Sequence, residues 1–197
     1  MLDEFLPGIL ALLAFSSGIG PGFTVIFELQ SGLIERLRVT PTARLALLAG
    51  PILANVVAMF VFDALLIVVG MLFGFQLHLG LLIVAVLAGL LAATVTAFSM
   101  GLALRSGGEI QGFAAVVNGI NLPVLLLGGV LLPLAIGPLW LRVLGHFDPL
   151  YYLVNAARSL AEGHLATTST WQAFAVLVPL CAITVFWAAR TYQKAVA

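Results

Sequence analysis

Apolar positions dominate this chain, and charge interrupts them at only a few places. Five stretches carry no charge: 5–27 between Glu4 and Glu28, 45–62 between Arg44 and Asp63, 64–104 between Asp63 and Arg105, 110–141 between Glu109 and Arg142, and 163–189 between Glu162 and Arg190. A helix crosses a bilayer with about 20 mainly apolar residues. The third stretch would run about 60 Å as one helix, twice the hydrocarbon thickness, so it must turn. Gly74-Phe75-Gln76-Leu77-His78-Leu79-Gly80 is the place for that turn. The pattern predicts five spans at about 6–27, 45–72, 81–104, 112–133 and 171–190, in one domain from 1 to 197. No run alternates with a period of two, which excludes a barrel and makes the chain an all-α integral membrane protein. The start, Met1-Leu2-Asp3-Glu4, is acidic where a signal peptide is basic, so the first run reads as a span.

Two stretches are too polar to span. In Glu28–Arg38, Leu29, Leu33, Ile34 and Leu37 share one side of a helix, with Gln30, Glu35, Arg36 and Arg38 largely opposite. Taken alone, this segment fits a helix lying at the membrane interface better than a docking helix for a soluble partner. In Asp148–Gly163, Asp148 suits an N-cap, Pro149 the first helical position and Gly163 the C-terminal cap. Leu150, Leu153, Val154, Ala157, Leu160 and Ala161 form its apolar stripe; Asn155, Arg158, Ser159 and Glu162 form the opposite face. With Pro138–His146 before it, this segment predicts a re-entrant or interfacial layer over 134–163.

Composition sharpens the class. The 197 residues are 62% hydrophobic and 8% charged, with a mean hydropathy of +1.20. A soluble domain is about 45–50% apolar and about 25% charged, so a soluble or disordered chain is excluded. Eight Lys and Arg balance eight Asp and Glu, which gives no basic surface for nucleic acid, and Cys181 is the only cysteine. Arg36, Arg38, Arg44, Arg105, Arg190 and Lys194 fall on one side of the five-span pattern, against Arg142 and Arg158 on the other. Basic loops are cytoplasmic, so the expected topology has the N-terminus outside and the C-terminus inside the cell membrane. An N-out start without a cleaved signal hints at a preceding span.

Candidate chemistry inside the membrane is sparse. Asp63 is the one ionisable residue well inside the predicted spans, and it is a functional candidate for that reason. It lies about 28 Å past Arg44 along a helix, which places it near the outer interface, facing a polar pocket or headgroups. Asn55, Thr94, Thr96, Ser99, Asn118 and Asn121 lie deeper, as wall residues of a pathway or as bonds between helices. Pro123 removes the usual partner of the Gly119 carbonyl and favours a kink. No Gly-x-x-x-x-Gly-Lys-Ser/Thr loop, His-Glu-x-x-His or Gly-x-Ser-x-Gly motif occurs. His78, His146 and His164 read as turn and interface residues, with no metal site, and Cys181 as a small hydrophobe.

The order of local motifs carries a resemblance. Leu6-Pro7-Gly8-Ile9 opens a span that ends at Glu28, followed by Gly32-Leu33-Ile34-Glu35-Arg36-Leu37, Val39-Thr40-Pro41, Arg44 and Leu48-Ala49-Gly50. Leu122-Pro123, Leu126-Leu127-Gly128-Gly129 and Leu132-Pro133 come next, then Asp148-Pro149-Leu150-Tyr151-Tyr152, Ala157-Arg158 and Gly163. This ordered set resembles the permease subunits of type-2 ATP-binding-cassette exporters of drugs, lipids and polysaccharides. The resemblance implies a dimer of permease subunits that forms a path for an apolar or amphipathic substrate. Each subunit would dock a separate ATPase that holds ATP and magnesium, while this chain itself binds no cofactor and is no enzyme. The docking element would be the coupling helix at about 28–38, with Glu28, Leu29, Gly32, Leu33, Glu35, Arg36 and Arg38. Asn55, Thr94, Ser99, Asn118, Asn121 and Pro123 would lie on the substrate path, and Asp63, Asp148, Pro149, Tyr151, Tyr152 and Arg158 at an outer gate. Set against the family's usual six spans, the chain is expected to begin at the second. The rival readings are a channel or secondary transporter that uses Asp63, and a truncated remnant or scaffold that transports nothing.

Overall fold

The computed structural model describes residues 2–32, 44–72, 80–129, 139–161 and 167–196. All regular structure among them is helical: α1 (Leu2–Ser17), α2 (Gly20–Gln30), α3 (Arg44–Leu72), α4 (Gly80–Arg105), α5 (Ile110–Leu127), α6 (Leu139–Gly145), α7 (Pro149–Ala161) and α8 (Thr168–Val196). Among the described residues, five segments are long and apolar enough to cross a membrane: Gly8–Gln30, Leu48–Val69, Gly80–Arg105, Ile110–Leu127 and Thr168–Gln193. The chain is an all-α integral membrane protein.

The first span is not one helix. It breaks between Ser17 and Gly20, so α1 and α2 cross the membrane in series. Pro21 has no N–H to continue the ladder, and Gly18 and Gly20 hold a helix poorly. The chain passes the break through short local bonds, Ile19 N to Ser16 O at 3.2 Å and Gly22 N to Ile19 O at 3.1 Å. By contrast, α3, α5 and α8 run on through Pro51, Pro123 and Pro179. Pro123 therefore does not end α5.

At the centre stands α4, apolar on every side and about two-thirds buried, as expected of a helix surrounded by others. Lipid is as apolar as leucine, so close packing rather than the hydrophobic effect holds membrane helices together, and small residues permit it. Ala85, Ala88, Ala92, Ala97 and Ala103 of α4 are all buried. Gly101 is a notch filled by the ring of Trp187, which also stacks on Phe98 with centroids 5.8 Å apart. That contact locks α4 to α8, its most extensive partner.

One end of the bundle is closed by α7. Leu150, Leu153, Val154, Ala156, Ala157 and Leu160 are at most 1% exposed and pack in one core with α1, α4 and α8. A Cβ on Gly80 would lie 2.6 Å from Leu160 O, and one on Gly128 would strike Leu150, so the start of α4 and the end of α5 both abut α7. At the other end, Gln30 Nε2 donates to Gly108 O at 2.8 Å. Gly107 and Gly108, with φ of 64° and 91°, make the tight turn from α4 to α5 there. Arg105, over the Trp187 ring, and Arg190, over Phe186, sit at this same end.

Candidate functional site

Three places bring the sequence candidates together or set them apart. The first is a polar node at the α1–α2 break. Breaking the helix frees the carbonyl of Gly18, and Ser99 Oγ of α4 donates to it at 2.7 Å. Asn55 Nδ2 of α3 donates to Thr96 Oγ1 at 2.8 Å and to Ser17 Oγ at 3.4 Å. A Cβ on Gly18 would lie 2.6 Å from Val95 Cβ, so only glycine lets the break touch α4. Thr94 bonds back to Leu90 O in its own helix at 2.7 Å. Thr94, Thr96 and Ser99 are buried. The hydroxyls of the node thus tie three helices together where the backbone would otherwise be unsatisfied.

The second place is α5. This helix is about 6% buried across its span. Leu122 is 77% exposed, and Asn118, Gly119 and Pro123 are exposed beside it. Asn121 is half-buried, and its Oδ1 has no hydrogen-bond partner among the described residues. The outward face of α3 is also uncovered but wholly apolar: Leu53, Val57, Phe60, Val61, Phe62, Leu65, Val68 and Val69. Lipid satisfies that face of α3, but it cannot satisfy an amide at mid-span on α5.

The third place is the α7 end. Asp148 caps α7: Leu150 N–H donates to its Oδ1 at 2.9 Å, and Pro149 is the first helical residue. Burial pushes the Asp148 carboxyl up to about 6, with the Leu150 N–H holding it back. Arg158 Nη2 donates to Gly129 O at 3.0 Å, bonding the carbonyl just past the end of α5. Tyr152 Oη donates to His146 O at 2.9 Å, and Tyr151 packs edge-on against Tyr152. Tyr151, Tyr152 and Arg158 share one cavity. Asp148 and Pro149 act from the buried start of the helix.

Asp63 belongs to none of these places. It is 2% exposed, and neither carboxylate oxygen has a partner among the described residues. Met59 and Leu66, on the same side of α3, pack into the apolar core. The structure thus encloses Asp63 where the sequence led us to expect a polar pocket or headgroups.

Of the residues assigned to the coupling helix, Glu28 and Leu29 form the last turn of α2. Gly32, with φ of 68°, ends that path in the left-handed region. Leu33, Glu35, Arg36 and Arg38 lie outside the described residues, as do His78, Glu162, Gly163 and His164. The helix break and the bond from Ser99 to Gly18 went unread in the sequence. Gly18, Gly20 and Pro21 in one short run were the available signal.

Known proteins share this chain's sequence over most of its length. The transport permease named ycf38 of Cyanophora paradoxa is 31% identical over 162 residues, 81% of this chain and 56% of the relative. The daunorubicin resistance ABC transporter permease protein DrrB1 of Streptomyces coeruleorubidus is 24% identical over 180 residues, 89% of this chain and 62% of the relative. The ycf38 permease of Porphyra purpurea is 25% identical over 154 residues, 77% of this chain and 53% of the relative. The chain thus spans little more than half the length of the curated relatives it matches. The family model for the ABC-2 type transporter matches residues 2–161, from α1 through the capping helix α7. With five spans and that match running through four of them, the chain belongs to the ABC-2 type transporter family.

Proposed function

We propose that this chain is the membrane-spanning subunit of an ATP-driven exporter and works as a dimer of permease subunits. The observation that carries the reading is the uncovered face of α5. It presents Asn118 and Gly119 at mid-span, while the outward face of α3 presents only apolar groups. A second permease subunit facing α5 encloses those groups in a shared path, with Asn118, Asn121 and Pro123 on its wall. Few polar groups line it, which suits an apolar or amphipathic substrate such as a drug or lipid.

The end that carries Arg105 and Arg190 faces the cytoplasm in this reading, because basic residues collect there. The segment 28–38 leads out of α2 at that end and docks a separate ATPase, which holds ATP and magnesium. Closure of the two ATPases moves the segment, and through α2 the break at Gly18, switching the path between its two faces. The α6–α7 layer then lies on the outer side as its gate. Charge reversal at both Glu35 and Arg36 is expected to abolish ATP-stimulated transport in reconstituted vesicles, with membrane insertion intact. Undiminished transport by that variant overturns the coupling assignment.

A second reading has one observation in its favour, the enclosed carboxylate of Asp63. An ion-coupled transporter built on Asp63 would work without ATP and stop on Asp63→Asn. The exporter reading expects Asp63→Asn to retain ATP-driven transport.

A further inference from the structure

The polar face of α7 does not open onto a flat surface. With the start of α8 and His146 it lines a half-open cavity of about 480 Å³, within the roughly 300–1,000 Å³ typical of ligand sites. Among the described residues the lining includes one cation, Arg158, and no acid. Its other described groups are hydrogen-bonding or aromatic side chains, in a protein that is 62% hydrophobic.

The lining divides into fixed and free groups. Tyr152 donates to a backbone carbonyl, and Ser159 both donates to Ala156 O and accepts from Thr167. Among the described residues, Arg158 is anchored by one bond, to Gly129 O. A guanidinium has five N–H donors, so the anchored fork keeps others for a ligand. Tyr151, Asn155 and Gln172 line the cavity and make no hydrogen bond among the described residues.

The surroundings say what kind of molecule fits. Ser169 and Gln172 lie at the start of a membrane span, at headgroup depth. Next to them Trp171 is 72% exposed; beside His146, Phe147 is 84% exposed; and on α6 Leu139 and Trp140 are 79% and 60% exposed. Exposed tryptophans at a span end mark the membrane–water interface. A polar cavity that holds Arg158, with exposed aromatic side chains next in sequence to its lining at Phe147 and Trp171, suits an amphiphile with an anionic headgroup.

We propose that this cavity binds the phosphate-bearing, hydroxyl-rich headgroup of a membrane lipid. Arg158 holds the phosphate through its fork, and Tyr151, Asn155 and Gln172 bond the polyol. The site needs neither nucleotide nor an ATPase, so its test is independent of the exporter reading.

Native mass spectrometry of the full delipidated chain, titrated with phosphatidylglycerol or phosphatidylcholine of matched acyl chains, measures it. The wild type is expected to retain one phosphatidylglycerol per chain with at least a fivefold preference over phosphatidylcholine. Arg158→Gln is expected to remove the preference. Because Arg158 also bonds to Gly129 O, the double variant Asn155→Ala/Gln172→Ala supplies an independent test. It is expected to cut occupancy threefold or more with unchanged thermal stability. Equal occupancy by the two lipids, or full phosphatidylglycerol occupancy in both variants, overturns the proposal. Displacement of the lipid by millimolar inorganic phosphate alone also overturns it, marking a free-anion site.

Discussion

Ser99 and Asn55 do the work that a continuous helix would do for itself. Ser99→Ala leaves the Gly18 carbonyl without its donor, at a cost of about 1–3 kcal/mol for an orphaned buried group. Asn55→Leu removes one side chain bonded to two others, with about 0.6–2 kcal/mol lost per inter-helix bond. Both variants are expected to lower the melting temperature in detergent and still insert. A stability equal to wild type in Ser99→Ala would show that water or another group satisfies Gly18. Asp148 gives a pH-dependent counterpart. Its carboxyl is pushed from 3.8 up to about 6 by burial, so the folded state binds the proton more tightly than the unfolded chain does. Its contribution to stability is complete below about 3.8 and is lost as pH rises through about 6. Amide protection in the first turn of α7 is expected to fall between about pH 5 and pH 7. Asp148→Asn keeps a capping oxygen and is expected to flatten that dependence; an unchanged slope would assign it to another group.

Among the elements, α7 was the most legible and the first span the least. Asp148-Pro149 and the stripe from Leu150 to Leu160 announce an amphipathic helix with a start signal, and those stripe residues are the ones buried. Charge spacing set out five spans because the membrane core excludes charge wherever the chain crosses it. It was blind to the break between α1 and α2. No charge marks that point, and membrane helices carry Gly and Pro often enough that Gly18 and Pro21 give no clear stop. The bonds of Ser99 and Asn55 depend on helix register across three elements, which periodicity along one element does not contain. Asp63 shows a similar limit. Its depth was calculable from Arg44, but whether α3 turned it toward lipid or core depended on α1 and α4. The uncovered face of α5 was also hidden, since helix faces toward lipid and toward a partner are both apolar in sequence. Asn118 and Asn121 were the exception to that rule.

For the whole molecule, the arrangement is a central α4 with α1–α2, α3, α7 and α8 around it, and α5 held mainly near its ends, by Phe113 on Phe23 and by Gly128 on Leu150. That layout leaves the mid-span amide of Asn118 uncovered. The reading of a permease dimer with the path between its subunits rests on it. Cysteine cross-linking in membranes tests it most directly, because Cys181 is the only native thiol to replace. In a Cys181→Ser background, Asn118→Cys is expected to yield a cross-linked product of two permease subunits, and Val57→Cys, on the apolar face of α3, is expected to yield none. Efficient cross-linking at Val57 and none at Asn118 would contradict the account and place the partner on α3.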